Sequence, residues 1–178
     1  MNLHRLLNVR RAAGKPVRVA LIGAGKFGSM FLSQVPHTPG IEVPVIVDLD
    51  PDRAREACRT VGWDSARIAA TKFTADAAKA TSGNIEVIVE ATGNPAVGIK
   101  HARAAIAAAK HIVMVNVEAD VLAGPLLAEE AREAGVVYSL AYGDQPALTA
   151  EMVDWARATG FRVVAAGKGT KYLRPIMT

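Results

Sequence analysis

Gly23, Gly25 and Gly28 stand in the run Gly-Ala-Gly-Lys-Phe-Gly, directly after a stretch from Val17 in which only Arg18 is polar. A buried strand that enters a tight glycine turn and then a helix presents unpaired backbone N–H groups, and the positive end of the helix dipole, to an anion. Gly23 permits the turn, Gly25 lets the backbone approach a pyrophosphate, and Gly28 lets the helix pack on the strand. Ala24, Lys26 and Phe27 complete the loop, with Lys26 dispensable because the backbone does the binding. A second apolar strand, Val43 to Val47, ends at Asp48, 20 residues beyond Gly28. A carboxylate there can accept hydrogen bonds from ribose hydroxyls, which favours NAD, whereas Arg53 and Arg55 could receive a 2′-phosphate, which favours NADP. Asp50 has the simpler reading of a cap for the helix that Pro51 opens. The choice between NAD and NADP stays open.

The rest of the chain must supply a scaffold for that loop. Phe27, Met30, Phe31 and Val35 fall at helical spacing until Pro36 and Pro39 forbid continuation. Ile68 to Phe73 reads as a short third strand, followed by a small helix around Asp76 to Lys79. Ile85 to Ala91 is a buried strand, and an alanine-rich helix follows in which Ile99, Ala102, Ile106 and Ala109 share a face. His111 to Val117 is the next strand, Pro125 to Ala134 the next helix with Gly135 as its C-cap, and Val136 to Ala141 the next strand. Asp144 then caps a helix with Leu148, Met152 and Trp155 on one face, and Phe161 to Ala166 returns as a strand before a basic tail. Strands separated by helices specify a doubly wound α/β fold, a parallel sheet covered on both faces, because parallel strands need crossover connections.

In such sheets ligands lie beyond the carboxyl ends of the strands, where the strand order reverses. That places the loops at 92–95 and 116–120 beside the nicotinamide and nominates Ala91, Thr92, Gly93, Asn94 and Asn116 for the cofactor and Glu118 for catalysis. Asn94-Pro95 is equally a common way to start a helix, and Glu118 equally a carboxylate favoured at a helix N-terminus. Lys168 and Lys171, in Gly-Lys-Gly-Thr-Lys, are candidates to polarise a carbonyl during hydride transfer, against the plainer reading of a basic tail. His101, alone on its helix, reads as a packing or surface residue. No paired Cys/His spacing suggests a metal.

Composition bounds these readings. The chain has 178 residues, 51% hydrophobic and 21% charged, as expected of an ordinary globular protein. Its net charge of +4 is uneven, because residues 1–18 and 161–178 hold nine Lys and Arg and no acid, leaving the body at −5. That argues against a nucleic-acid partner. No apolar run is long enough to span a bilayer. The acid-free opening through Lys15 has the flavour of a transit peptide, and a short helix packed on the domain is the favoured reading. One cysteine, Cys58, is compatible with a reducing compartment, and the cytoplasm is the expectation.

Ala-Thr-Gly-Asn-Pro, followed by His101, Ala104, Ala105, Ala108, Lys110-His111 and Val113, resembles the NAD-binding half of homoserine dehydrogenases and of glucose-fructose oxidoreductase-like enzymes. Val-Asn-Val-Glu-Ala-Asp-Val-Leu-Ala-Gly-Pro, Ala-Tyr-Gly-Asp-Gln-Pro-Ala-Leu and Gly-Lys-Gly-Thr-Lys are similar to segments of homoserine dehydrogenase-like proteins that include a deoxyxylulose-phosphate reductoisomerase-like enzyme. The resemblance implies NAD(P)-dependent hydride transfer to or from a small metabolite. Asn116 is followed by Val117 and Glu118, where homoserine dehydrogenases have an Asn-Lys pair, which argues against homoserine itself. The expected division is an N-terminal helix or arm at 1–15, a Rossmann dinucleotide-binding domain at 16–143, and a helix, strand and basic tail at 144–178 leading toward a truncated catalytic domain. A non-catalytic NAD(P)-binding or sensing domain, or a fragment of a larger reductase, are the alternatives. Trp155 and Phe161 on an apolar surface lead us to expect a homo-oligomer.

Overall fold

Asn2 caps the first helix, α1 (Leu3–Ala12), by accepting a hydrogen bond from the Arg5 N–H. The computed structural model describes residues 2–143 and 145–167. No residue of α1 is buried. It is held by Arg10, whose Nη2 donates to both oxygens of Glu86 at 2.8 Å, and by Leu7 against Gly40. Strand β1 (Val17–Ile22), helix α2 (Lys26–Gln34) and strand β2 (Ile41–Val47) follow, then α3 (Pro51–Thr60), α4 (Ser65–Ala70) and the short β3 (Lys72–Thr74). The second half repeats the alternation with β4 (Val87–Glu90), α5 (Pro95–Ala107), β5 (His111–Met114), α6 (Val117–Glu133) and β6 (Tyr138–Leu140).

The strands lie in the order β3-β2-β1-β4-β5-β6, so the order reverses between β1 and β4. The pairings of β1 with β2 and β4, of β2 with β3 and of β4 with β5 are all parallel. This is the doubly wound arrangement that the alternating pattern requires. Val19 and Leu21 of β1 belong to a core with Leu32 of α2, Ala54 and Cys58 of α3, Trp63 and Ile68. Ala20 and Ile22 point to the opposite face and are also buried, as a strand covered on both sides demands. Trp63 satisfies its indole N–H by donating to the Leu32 carbonyl at 2.9 Å.

Several boundaries differ from the sequence reading. Ile68 belongs to α4, whose N-cap Asp64 accepts from the Arg67 N–H, and only Lys72–Thr74 remain for the third strand. The small helix after it is a 3₁₀ turn, Ala77–Thr81. Strand β5 stops at Met114, because Asn116 is the N-cap of α6. Helix α6 therefore starts well before Pro125, which lies inside it. Proline there cannot donate to the Val121 carbonyl, but both residues are exposed, so water can take that oxygen.

The chain divides into two compact units, Met1–Ser139 and Leu140–Thr178. In the second unit α7 (Gln145–Ala158) has no buried residue, and the Tyr142 hydroxyl donates to Glu151. Asp144, the expected cap of this helix, lies outside the described residues. The strand expected at 161–166 is not formed: residues 161–167 have no regular structure, and a strand needs a neighbouring ladder to take its backbone groups. Phe161, Val163 and Val164 instead line a shallow groove with Met152 and Ala156 of α7.

Candidate functional site

The carboxyl end of β1 leads into Gly23, whose φ of +98° is one that side chains rarely adopt. A Cβ on Gly23 would lie 2.7 Å from the backbone of Ala91, so this turn needs glycine to let the ends of β1 and β4 approach. Gly28 is equally constrained, since its Cβ would stand 2.3 Å from the Gly23 carbonyl oxygen. Gly25 differs, with nothing within 4 Å of a built Cβ. It is the N-cap of α2 and supplies no side-chain cap, and the first turn contains no acid. The orphan N–H groups of that turn therefore face open space. Ala24 is buried, while Lys26 and Phe27 are exposed.

Asp48 sits just beyond β2 and is only 7% exposed. Its Oδ2 accepts from the Ala24 N–H at 2.8 Å, and its Oδ1 accepts from the Asp50 N–H at 3.0 Å and from Arg53 Nη2 at 2.9 Å. Burial raises the Asp48 pKa, but the hydrogen bonds from Asp50, Arg53 and Ala24 outweigh it and hold the carboxyl below its ordinary value. This acid thus braces the glycine loop from beneath. Arg53 keeps 63% of its side chain exposed beside that loop. Asp50 caps α3 by accepting from the Arg53 N–H, and Arg55 lies 4.6 Å over the Phe73 ring.

The loop after β4 comes to the same end of the sheet, with the Ala91 N–H donating to the Ile22 carbonyl at 2.8 Å. Gly93 has φ +72°, and Asn94 accepts from the Val97 N–H as N-cap of α5. Asn116 is 2% exposed; its Oδ1 accepts from the Ala119 N–H at 3.2 Å and its Nδ2 donates to the Asn94 carbonyl at 2.9 Å. The side chains of Asn94 and Asn116 are therefore both engaged in starting helices and in tying the two loops together. Glu118 is exposed in the first turn of α6, where the helix dipole favours a carboxylate. Lys168 and Lys171 lie outside the described residues.

Sequence reasoning missed Glu90. This last residue of β4 is fully buried, and its Oε1 accepts from the Thr92 hydroxyl at 2.6 Å with His101 Nδ1 at 3.3 Å. The available signal was a charge closing an otherwise apolar strand, with a histidine 11 residues later on the following helix. Among the described residues there is no cluster of three or more His, Cys, Asp or Glu able to hold a metal ion. No helix among them is long and apolar enough to cross a membrane.

A glycine turn at the β1/β4 switch point, an uncapped helix start and a braced acid after β2 form the cradle of a dinucleotide-binding sheet. Residues 17–142 match the model of an oxidoreductase family with an NAD-binding Rossmann fold. The chain belongs to that family. Residues 143–177 match a second model, the catalytic domain of oxidoreductase DRL. A comparison with curated proteins returned no match.

Solved structures share the fold. An NAD-binding oxidoreductase from Klebsiella pneumoniae is 20% identical, with a TM-score of 0.59 over 82% of this chain and 39% of its own. The WlbA dehydrogenase from Bordetella pertussis, solved with NADH and UDP-GlcNAcA, is 20% identical, with a TM-score of 0.58 over 82% of this chain and 43% of its own. A homoserine dehydrogenase from Thiobacillus denitrificans is 21% identical, with a TM-score of 0.58 over 68% of this chain and 28% of its own. The chain thus spans less than half the length of each of these three structures.

Proposed function

We propose that this chain binds NAD(P) at the β1/β4 switch point as the cofactor-binding portion of an oxidoreductase that acts on a small metabolite. The observation that carries the reading is the contrast among the three glycines. Gly23 and Gly28 are glycine because the protein's own backbone would collide with a side chain, whereas Gly25 faces open space at an uncapped helix start. The residues fit the group: the N–H groups around Gly25 and Lys26 would hold the pyrophosphate, and the one lone pair of Asp48 left unused would meet a ribose hydroxyl. The cofactor, when bound, supplies hydride transfer; the protein orients it and shapes the local field. Thr92, Gly93, Asn94 and Asn116 would border the nicotinamide. Lys168, Lys171 and Glu118 stay the candidates for polarising or protonating a substrate oxygen.

Fluorescence titration with NADH and NADPH tests the reading. Saturable binding that Gly25→Val abolishes in a folded protein is expected, because a Cβ there has no protein atom within 4 Å and the side chain would stand where the ligand approaches. A folded wild-type protein that binds neither cofactor defeats the proposal. Cofactor preference is better tested at Arg53 than at Asp48, since removing the acid would also free the Ala24 N–H. If the guanidinium receives a 2′-phosphate, Arg53→Ala weakens NADPH and spares NADH; an equal effect on both removes that role.

Cytoplasmic residence and self-association complete the proposal. Cys58 is buried and its thiol is pushed up to about 11 by that burial, so it is not poised to react. Met152, Trp155, Phe161 and Val164 are exposed, and sedimentation should show a concentration-dependent oligomer. A strictly monomeric species at high concentration would overturn self-association.

A further inference from the structure

A carboxylate at the end of a fully buried strand needs a reason. An aliphatic side chain at position 90 would pack there at no desolvation cost, whereas burying an ionised carboxylate costs several kcal/mol unless partners offset it. Glu90 has 0% exposure. Oε1 takes the Thr92 hydroxyl at 2.6 Å, the Thr92 N–H at 3.4 Å and His101 Nδ1 at 3.3 Å. Among the described residues Oε2 has no hydrogen-bond partner. Packing alone does not explain this residue, and its hydrogen bonds run to the loop that follows it and to His101 of α5.

Those contacts form a chain. The Thr92 hydroxyl that donates to Glu90 also accepts from the Asn94 N–H at 3.4 Å. Asn94 caps α5 through its side chain and accepts from Asn116 Nδ2 through its carbonyl, and Asn116 in turn caps α6. One buried carboxylate is therefore connected to Thr92, Asn94 and Asn116, the three side chains proposed to border the nicotinamide. The helices press closely on this network. A Cβ at Gly98 of α5 would lie 2.7 Å from Asn116 Nδ2 and 3.1 Å from Glu90 Oε2. Glu90 is also the register partner of Ile22, the residue before Gly23, so the network abuts the glycine turn. Residues 92–94 themselves are exposed, so their conformation is not fixed by burial.

We infer that Glu90 is a positioning residue that acts through Thr92 and His101 to hold the 92–94 loop, and through Asn94 the Asn116 amide, in the shape that receives the nicotinamide half of the cofactor. The inference rests on the dinucleotide reading above for the identity of the ligand. The adenosine and pyrophosphate half would lie against the glycine turn and Asp48, and among the described residues the Glu90 side chain makes no hydrogen bond to either. Glu90 thereby sets how the reactive half of the cofactor is held without setting whether the cofactor binds.

The experiment compares NADH with ADP-ribose, which lacks the nicotinamide, by calorimetric titration of wild type, Glu90→Gln, Thr92→Val and Thr92→Ser. Thr92→Val removes the hydrogen bond and should weaken NADH about tenfold; Glu90→Gln, whose neutral amide keeps one acceptor oxygen but accepts less strongly, should weaken it by less, while ADP-ribose changes less than about twofold in both. Thr92→Ser keeps the hydroxyl and should retain the NADH affinity that Thr92→Val loses. Thr92 is exposed, so its variants test the idea even if Glu90→Gln fails to fold. Equal losses for both ligands would mean general destabilisation, and unchanged NADH affinity would mean no positioning; either overturns the inference. A wild-type protein that binds neither ligand defeats the dinucleotide reading instead. The amide NMR signals of Thr92, Gly93 and Asn94 in the unliganded protein then decide the remainder: a shift in Glu90→Gln, which leaves those three residues themselves unchanged, with Arg18 unmoved supports the Glu90 brace, and no shift overturns it.

Discussion

At the carboxyl ends of β1, β2 and β4 the charged groups are buried and held largely by backbone and hydroxyl donors, whereas at the amino ends the same strands are framed by ion pairs open to water. The Asp48 side chain is 6% exposed and that of Glu90 0%. At the other end Arg18 pairs with Glu42 at 2.7 Å and Arg10 with Glu86 at 2.8 Å, with side chains of Glu42 and Arg10 51% and 43% exposed. Lys110 joins them by donating to the Gly83 carbonyl at 3.0 Å. Buried acids with several fixed donors specify geometry, while exposed pairs move and are screened. The end that must present loops to a ligand has the first kind of chemistry, and the end that only closes the fold has the second.

Substitutions can break this comparison in graded steps. Gly28→Ala should cost the most, about 3 kcal/mol by chemical denaturation, because the methyl group meets a backbone carbonyl that cannot swing away. Asp48→Asn should cost about 2 kcal/mol, since the amide keeps one acceptor oxygen and turns an NH2 donor toward either the Ala24 N–H or the donors of Asp50 and Arg53. At Gly98→Ala the gain in helix propensity partly offsets the collision with Asn116, leaving a net loss of about 1 kcal/mol together with weaker NADH binding. Glu86→Gln should cost less than about 1 kcal/mol, and most of that should vanish in 1 M salt, as the loss at Asp48 should not.

Acid should act on both ends in the same direction and by different routes. Burial raises the pKa of Glu86, but hydrogen bonds from Arg10 and the Arg18 N–H and the charges of Arg10 and His111 lower it further, so its folded value, like that of Asp48, lies below normal. A folded pKa below the unfolded one gives stability that is complete above the unfolded value, near pH 4, and is lost as pH falls through the folded value. Denaturation followed from pH 6 to pH 2 should therefore show a steeper acid decline in wild type than in Asp48→Asn. Added salt should flatten the Glu86 contribution and leave that of Asp48; equal flattening of both would show that the two ends do not differ in kind.

The glycine turn and Asp48 were legible because their chemistry dictates spacing. A turn, a close approach and an acid at the end of the next strand recur at fixed separations whatever the rest of the sequence does. Glu90 was not legible, since one charge ending an apolar run reads as the exit of a strand, and only the fold brings Thr92 and His101 to it. The start of α6 was hidden for another reason. Pro125 suits the first turn of a helix, so it drew the boundary toward itself, while Asn116, the true cap, looked like the end of a strand. The strand expected at 161–166 shows the remaining limit: alternation can nominate a strand, but pairing makes one.

The strand order has a consequence for how the chain is made. β1 pairs on one side with β2, which follows it closely, and on the other with β4, which is reached only after α3, α4 and β3 have been built. During synthesis from the N-terminus, three strands and their helices can assemble while one whole edge of the central strand still offers free amides and carbonyls. That edge closes when Val87 to Glu90 arrives, so the nascent protein carries an adhesive seam in the middle of its future sheet. A nascent chain whose Val87 to Glu90 segment is still inside the ribosome would expose that seam, and one in which that segment has emerged and paired would not.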